Sequence, residues 1–144
     1  PGEAVTIASA QSFDPLGNGE ENEGRAPLAI DGNPSTAWNT ETYNSRPFGG
    51  LKSGVGLVLQ LEAAAKVQGV DVRSPTVGWA AELYIADRPR ASLAEWGRPV
   101  AVSDGIDGDG TFDLEGTEGR AVLLWITDTS DARRVEVSEV VVRQ

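Results

Sequence analysis

The stretch Ala29-Ile30-Asp31-Gly32-Asn33-Pro34-Ser35-Thr36-Ala37-Trp38 sets six turn-forming residues between two apolar pairs. An Asx-rich turn of this kind brings a carboxylate, backbone carbonyls and a hydroxyl together within a few residues. Hard divalent cations favour such a nest of oxygens. The same residues also make a turn with no ion, in which Asp31 accepts backbone N–H groups and the hydroxyl of Thr36 caps the bend. Both readings stay open on the sequence.

The turn belongs to a segment, 14–53, rich in Gly, Asn, Pro, Ser and Thr and without a strong period. A loop of that length inside a compact domain points to function or to a bound ion. Around it, short runs alternate apolar and polar residues between Gly, Pro, Asp and Asn clusters, which is the rhythm of an all-β chain. The runs are 5–10, 56–61, 67–73, 82–86, 99–102, 110–114, 120–127 and 134–143. Val135, Val137, Val140 and Val142 carry the β-branched enrichment of strands, and the shift of alternation at Glu139-Val140 predicts a bulge. Helix is scarce. LEAAAK at 61–66 has the propensity for one turn, and SLAEW at 92–96 reads as a capped short helix.

The 144 residues fit one domain, 1–144, with a single core. There is no Cys and no His, which excludes disulfide scaffolds, thiolate and imidazole metal sites, Cys nucleophiles and His-based triads. Any catalysis would have to rest on carboxylates, and no acid pair lies in an apolar pattern that would raise one pKa. The expectation is therefore a protein that is not an enzyme. With 12 Lys+Arg against 22 Asp+Glu, the formal charge is −10, so nucleic acid and anionic membrane surfaces are poor partners. No apolar run approaches the ~20 residues that span a bilayer. The chain opens on Pro1, which suggests a piece excised from a longer protein.

The pattern A-x-D-G-N-x-x-T-x-W in the quoted stretch resembles the signature of discoidin-like modules (F5/8 type C, galactose-binding-like), a fold shared with many carbohydrate-binding modules. The resemblance implies a jelly-roll β-sandwich of about eight antiparallel strands. It also implies a structural Ca²⁺ held by Asp31, Asn33 and Thr36, with Glu139 of the last strand completing the shell. The strings Asp14-Pro15-x-Gly17, Glu21-Asn22, Tyr43, Phe48-Gly49-Gly50-Leu51-Lys52-x-Gly54-Val55-Gly56-Leu57 and Leu123-Leu124-Trp125-Ile126-Thr127 point to a narrower group. They resemble the extracytoplasmic C-terminal domain of actinobacterial MviN-type proteins, in which a lipid II flippase homologue is fused to a pseudokinase-like domain. That resemblance implies a domain on the outer face of the cell membrane, tethered through a transmembrane part of the chain, near peptidoglycan synthesis.

Two functions follow as expectations. One is a non-catalytic module that recognises a cell-wall glycan, its precursor or an envelope protein. The other is a structural or protein-interaction domain that positions its membrane-borne partners without binding sugar. For sugar, Tyr43 beside Arg46 and Trp79 beside Gly78 are the candidate ligand residues, since an exposed ring stacks on the C–H face of a pyranose. The alternative is that Trp79 and Trp96 close the ends of the sandwich, while Trp38 and Trp125 sit in apolar strings as core. Asp104 to Gly110 alternates Asp with Gly but lacks the later Glu and flanking helices of a calcium-binding EF-hand, and reads as a hairpin turn. Lys52 does not fit a phosphate-loop spacing and reads as a local ion pair or a cap over the loop carbonyls.

Overall fold

Two strands of 19 residues each, β4 (Val55–Arg73) and β7 (Gly110–Asp128), run antiparallel beside one another and organise everything else. Their pairing extends from Val55 opposite Ile126 to Val72 opposite Gly110, with irregularities between Gln60 and Ala65 and between Val67 and Gly69. The computed structural model describes residues 2–44 and 52–144. On the far side of β7 lies β5 (Val77–Ala86), followed by β6 (Ala101–Asp107). The other edge of β4 is shared: β2 (Ile7–Phe13) pairs with its first part and β9 (Glu139–Arg143) with its last, and β1 (Ala4–Val5) adds to β9. The remaining pair, β3 (Trp38–Asn39) with β8 (Glu136–Val137), forms a small second sheet. A 3₁₀ helix, Glu23–Ile30, packs Ala26 and Ala29 into the core. The architecture is an antiparallel β-sandwich.

Period-two alternation assigns the two faces of the central strands. Leu57, Leu59 and Leu61 of β4 and Val122, Leu124 and Ile126 of β7 point into the main core with Trp38, Trp79, Leu83, Val135, Val137, Val140 and Val142. Val58, Leu123 and Trp125 point the other way, into a second cluster with Phe13, Tyr84 and Trp96. Phe13 meets Trp96 and Trp125 edge-to-face, with ring centroids 6.4 and 5.9 Å away. The first part of β4 and the last part of β7 are thus buried on both faces, which is why Val55 to Leu59 and Ala121 to Ile126 read as nearly unbroken apolar runs.

Several expectations change. The runs 56–61 and 67–73 are one strand, as are 110–114 and 120–127. LEAAAK does not form a helical turn: it lies within β4, where Glu62, Ala63 and Ala64 are exposed. Strand pairing outweighs its helix propensity. Here the register with β7 is interrupted, and Arg120 donates to the carbonyls of Leu61 and Glu62 while the Glu62 N–H donates to Thr6 O. The bulge expected at Glu139-Val140 is also not there. Strand β9 pairs with β4 in unbroken register, and the shifted alternation marks the chain leaving the small sheet for the large one at Ser138, whose N–H donates to Arg73 O. SLAEW does contain a 3₁₀ turn, Ala94–Trp96, with Ser92 Oγ bonded to Glu95 Oε1.

Gly56 marks how closely the central strands approach. A methyl group there would sit 2.7 Å from Leu123 Cδ1 and 2.8 Å from the Leu124 carbonyl oxygen, the latter backbone that cannot swing away. Gly56→Ala is expected to cost about 1–3 kcal/mol by overpacking. Trp125→Ala, which empties the second cluster, is expected to cost about 3–5 kcal/mol in urea-unfolding experiments. Losses under about 0.5 kcal/mol in both would contradict this packing.

Candidate functional site

The 3₁₀ helix ends at Asp31, and the chain turns through Gly32, whose φ of 74° suits glycine. Asp31 Oδ1 accepts the Asn33 N–H at 3.0 Å, and its Oδ2 accepts the Thr36 hydroxyl, which also lies 3.1 Å from Asn33 O. Glu139, 107 residues further along, accepts the Gly32 N–H at 3.1 Å. The four residues singled out in the sequence therefore meet around one turn. The Thr36 hydroxyl and the Asn33 N–H hold the Asp31 carboxyl below its ordinary range. Desolvation raises that of Glu139, against the Gly32 N–H, and the nearby Asp31 charge adds to the rise. Hydrogen bonds to the Asp31, Asn33 and Glu139 side chains close the turn. The donor set still fits a hard cation, because every group is oxygen and two are carboxylates. Among the described residues no three acidic, His or Cys side chains converge at metal-binding distance. An ion here would rely on carbonyl and hydroxyl oxygens as well.

Tyr43 and Trp79 are not placed to stack on sugar. Tyr43 is buried, and its hydroxyl donates to Glu21 Oε2. Glu21 is fully buried: Oε2 also accepts the Glu41 N–H at 2.9 Å, and Oε1 has no hydrogen bond. Lys52 Nζ lies 3.7 Å from that oxygen, donates to both oxygens of Asp14 at 3.0 and 2.9 Å, and sits 5.3 Å from the Tyr43 ring centroid. The local ion pair expected of Lys52 is present. Burial raises the Glu21 pKa, with the Tyr43 and Glu41 hydrogen bonds and the Lys52 charge opposing it. Burial and Glu21 likewise push the Tyr43 phenol up. Trp79 is also fully buried, its indole N–H donating to Gly108 O at 2.9 Å. Both aromatics were candidates on the strength of polar neighbours in sequence, which burial by tertiary packing overrides. Arg46 lies outside the described residues.

Trp79 instead supports a rim. The Gly108 carbonyl it holds belongs to the β6–β7 turn, where the Gly108 N–H donates to Thr76 O at 2.8 Å and Asp109 Oδ1 accepts the Ser74 N–H at 2.9 Å. These bonds fix the β4–β5 loop. Opposite, the β7–β8 loop turns through Ser130 and Arg133, both at positive φ. The Tyr43 N–H donates to Arg133 O at 2.8 Å, so Tyr43 reaches this rim through its backbone rather than its ring. Between the loops opens a cavity of 500 Å³ lined by Pro75, Thr76, Val77, Asp131, Ala132, Arg134 and Glu136. Val77 is 65% exposed there, and Arg134 pairs with Glu136. Apart from Arg134 and Glu136 in the run 134–143, none of these residues stands out in the sequence, because nothing periodic connects loops that only the strand ends bring together.

No known protein-family profile matches the chain. Solved structures do resemble it. The CBM32 module of AlyQ in complex with 4,5-unsaturated mannuronic acid superposes with a TM-score of 0.70 at 18% identity, over 97% of each chain. CpGH89CBM32-5 from Clostridium perfringens, in complex with GalNAc-β-1,3-galactose, gives 0.67 at 15%, over 99% of this chain and 100% of that one. The family 32 module of C. perfringens NanJ, in complex with galactose, gives 0.68 at 16%, with the same coverage. The fold is that of the CBM32 β-sandwich. At these identities the likeness is one of fold.

The Asp14–Lys52–Glu21 cluster yields two expectations. Lys52→Met leaves buried carboxylates uncompensated and is expected to cost about 3–5 kcal/mol, with part recovered in the Lys52→Met/Asp14→Asn double variant. Glu21 binds its proton more tightly folded than unfolded, so it contributes stability below its unfolded pKa, and this is lost as pH rises through the raised folded value. Denaturation midpoints across pH should show that loss in wild type. The loss should be smaller in Glu21→Gln.

Proposed function

We propose that the domain is a non-catalytic glycan-binding module that takes sugar in the rim groove of Pro75, Thr76, Val77, Asp131, Arg134 and Glu136. The observation that carries the reading is that groove's chemistry on this fold. Carboxylates and a guanidinium suit the paired hydroxyls of a sugar, and Pro75 with exposed Val77 offers an apolar wall for its C–H face. Every aromatic ring among the described residues is buried, so this wall takes the part a stacking ring would otherwise play. The relatives in fold whose structures hold galactose, a GalNAc-galactose disaccharide or an unsaturated uronate support the class of ligand.

The reading extends to a cell-wall glycan or precursor on the extracytoplasmic face of the membrane, with the domain tethered through another part of a longer chain. The FGGLK-x-GVGL and LLWIT strings support that setting by their resemblance to MviN-type proteins. The burial of the described rings favours a second reading, in which the domain contacts an envelope protein and positions flippase and pseudokinase domains without sugar. Calorimetric titration separates the two. Galactose, N-acetylgalactosamine or soluble peptidoglycan fragments should bind wild type, and Arg134→Ala should weaken binding about tenfold or more by removing a charged hydrogen-bond donor, with melting temperature held within a few degrees. No heat and no amide shifts at millimolar sugar would overturn the glycan reading.

A structural Ca²⁺ at Asp31, Asn33, Thr36 and Glu139 is part of the proposal. It would neutralise the two carboxylates and tie the turn to β9. Because it binds only the folded state, Ca²⁺ at a hundredfold excess over Kd adds about 2.7 kcal/mol, or roughly 6–10 °C in melting temperature for a domain of this size. Chelator-treated wild type should gain this on adding Ca²⁺, and Asp31→Ala should not. An unchanged wild-type melt would mean that the Asx bonds hold the turn by themselves.

A further inference from the structure

The wall of the rim groove that bears Arg134 and Glu136 has two faces. Val135 and Val137 point into the core, while Arg134 and Glu136 line the groove. The backbone of this wall is bonded along its length to the segment 38–43. Trp38 and Asn39 pair with Val137 and Glu136, and the Thr40 N–H donates to Val135 O at 3.0 Å. The Val135 N–H donates to Thr40 Oγ1 at 3.0 Å, and the Tyr43 N–H to Arg133 O at 2.8 Å. Behind this seam, Glu21 gathers the segment 38–43 from the other side. Its carbonyl oxygen accepts the Trp38 indole N–H at 2.7 Å, and its Oε2 accepts the Glu41 N–H and the Tyr43 hydroxyl. Glu21 thus grips the segment to which the groove wall is bonded.

The charges around that carboxyl do not balance. Asp14 and Glu21 are both buried, and Lys52 is the cation they share. Its ammonium donates to both oxygens of Asp14 and stays 3.7 Å from Glu21 Oε1, which accepts no hydrogen bond. Facing Glu21 are Asp14 from the turn after β2, Lys52 from the approach to β4, and Tyr43 from 38–43, where Glu41 contributes its backbone N–H. Glu23 of the 3₁₀ helix reaches Glu21 only through Ser12, whose hydroxyl accepts the Glu21 N–H and donates to Glu23 Oε1. With Glu21 neutral, the buried cluster of Asp14, Lys52 and Glu21 holds one negative and one positive charge. With Glu21 ionised it holds a second negative charge at a site of zero exposure, which is costly.

We propose that Glu21 is a proton-operated latch on the groove wall: neutral, it holds the segments 38–43 and 133–137 together, and ionised, it favours a local opening that frees the wall. Burial raises the Glu21 pKa in the closed form, and an opening that lets water reach the carboxyl returns it to its ordinary range. The opened form therefore binds the proton more weakly, and each pH unit between the two values favours opening by up to about tenfold. Below the ordinary range the latch is fully set. Its contribution is lost as pH rises through the raised value, and beyond that the effect levels off. The latch acts on the wall whatever the groove takes, so it stands apart from the glycan reading.

Native-state amide exchange of the 144-residue domain across pH, expressed as protection relative to an unstructured chain, tests this beside an NMR titration of the Glu21 carboxyl carbon. The amides of Thr40, Tyr43 and Val135 should open at lower free energy than that of Leu124 in the central ladder. They should lose protection by up to about tenfold per pH unit until the measured Glu21 midpoint, then level off. Glu21→Gln keeps an acceptor for Tyr43 and Glu41 and should flatten that dependence. Glu118→Gln, the same charge change at an exposed position, should leave it. Seam amides that open only with the whole domain, at the free energy of Leu124, overturn the latch. A local opening whose protection does not change with pH overturns it too. So does a dependence that survives in Glu21→Gln, which assigns the proton to another carboxyl such as Glu139, also raised by burial. If Glu21→Gln does not fold, the wild type decides alone: levelling at the Glu21 midpoint supports the latch, and levelling at a different pH overturns it.

Discussion

The antiparallel ladder between β4 and β7 is the constraint on which the rest of the structure depends. Where the start of β4 pairs with the end of β7 both strands are buried on both faces, so one ladder serves two apolar clusters, and every other strand of the large sheet is attached to it directly or through one neighbour. The close approach that Gly56 permits, and the Trp125 ring packed beside it, fix the spacing. Where the ladder is interrupted at 60–65, Arg120 supplies hydrogen bonds to carbonyls that β7 no longer reaches. The long strands carry the chain from one end of the sandwich to the other without a loop. That concentrates the loops 74–76, 108–109 and 129–135 in one region, and the rim groove lies among them.

Buried polar groups in this domain brace loops. Trp79 fills the core with its ring and uses its one N–H to hold the β6–β7 turn, which in turn holds Thr76 and Ser74. Asp14, Lys52 and Glu21 join the segment after β2 to the segment before β4, and Tyr43 joins Glu21 to the rim through its neighbouring backbone. A half-satisfied carboxylate at zero exposure is costly. Here that cost is offset by Lys52 and two good hydrogen bonds on the other oxygen, and the segments that bear the rim are pinned as a result.

Much of the fold was legible because strand periodicity survives in short windows. Val137, Val140 and Val142 read as strand and are strand, and the DGN-x-x-T-x-W turn pointed to the right sandwich. The resemblance to discoidin-like modules also named Glu139 as the turn's distant partner, a contact no local pattern contains. Legibility failed where a residue's role depends on what lies across the sheet. LEAAAK carries helix propensity, but its neighbours in β7 and β2 make it strand. The shift at Glu139 looks like a bulge in one dimension and is a change of sheet in three. Tyr43 and Trp79 have polar neighbours in sequence and apolar or ionic neighbours in space. The rim residues Pro75, Val77, Asp131 and Glu136 come from two separate segments, and only strand pairing places them together.

The central claim is that a doubly buried β4–β7 ladder forms the rigid frame from which the ligand-facing loops are held. Amide hydrogen exchange measured residue by residue tests it most directly. The account predicts that Leu57 to Leu59 and Val122 to Trp125 exchange only through global unfolding, with β6 at the sheet edge opening more readily. Exchange of those amides at free energies no higher than those of β6 would contradict it.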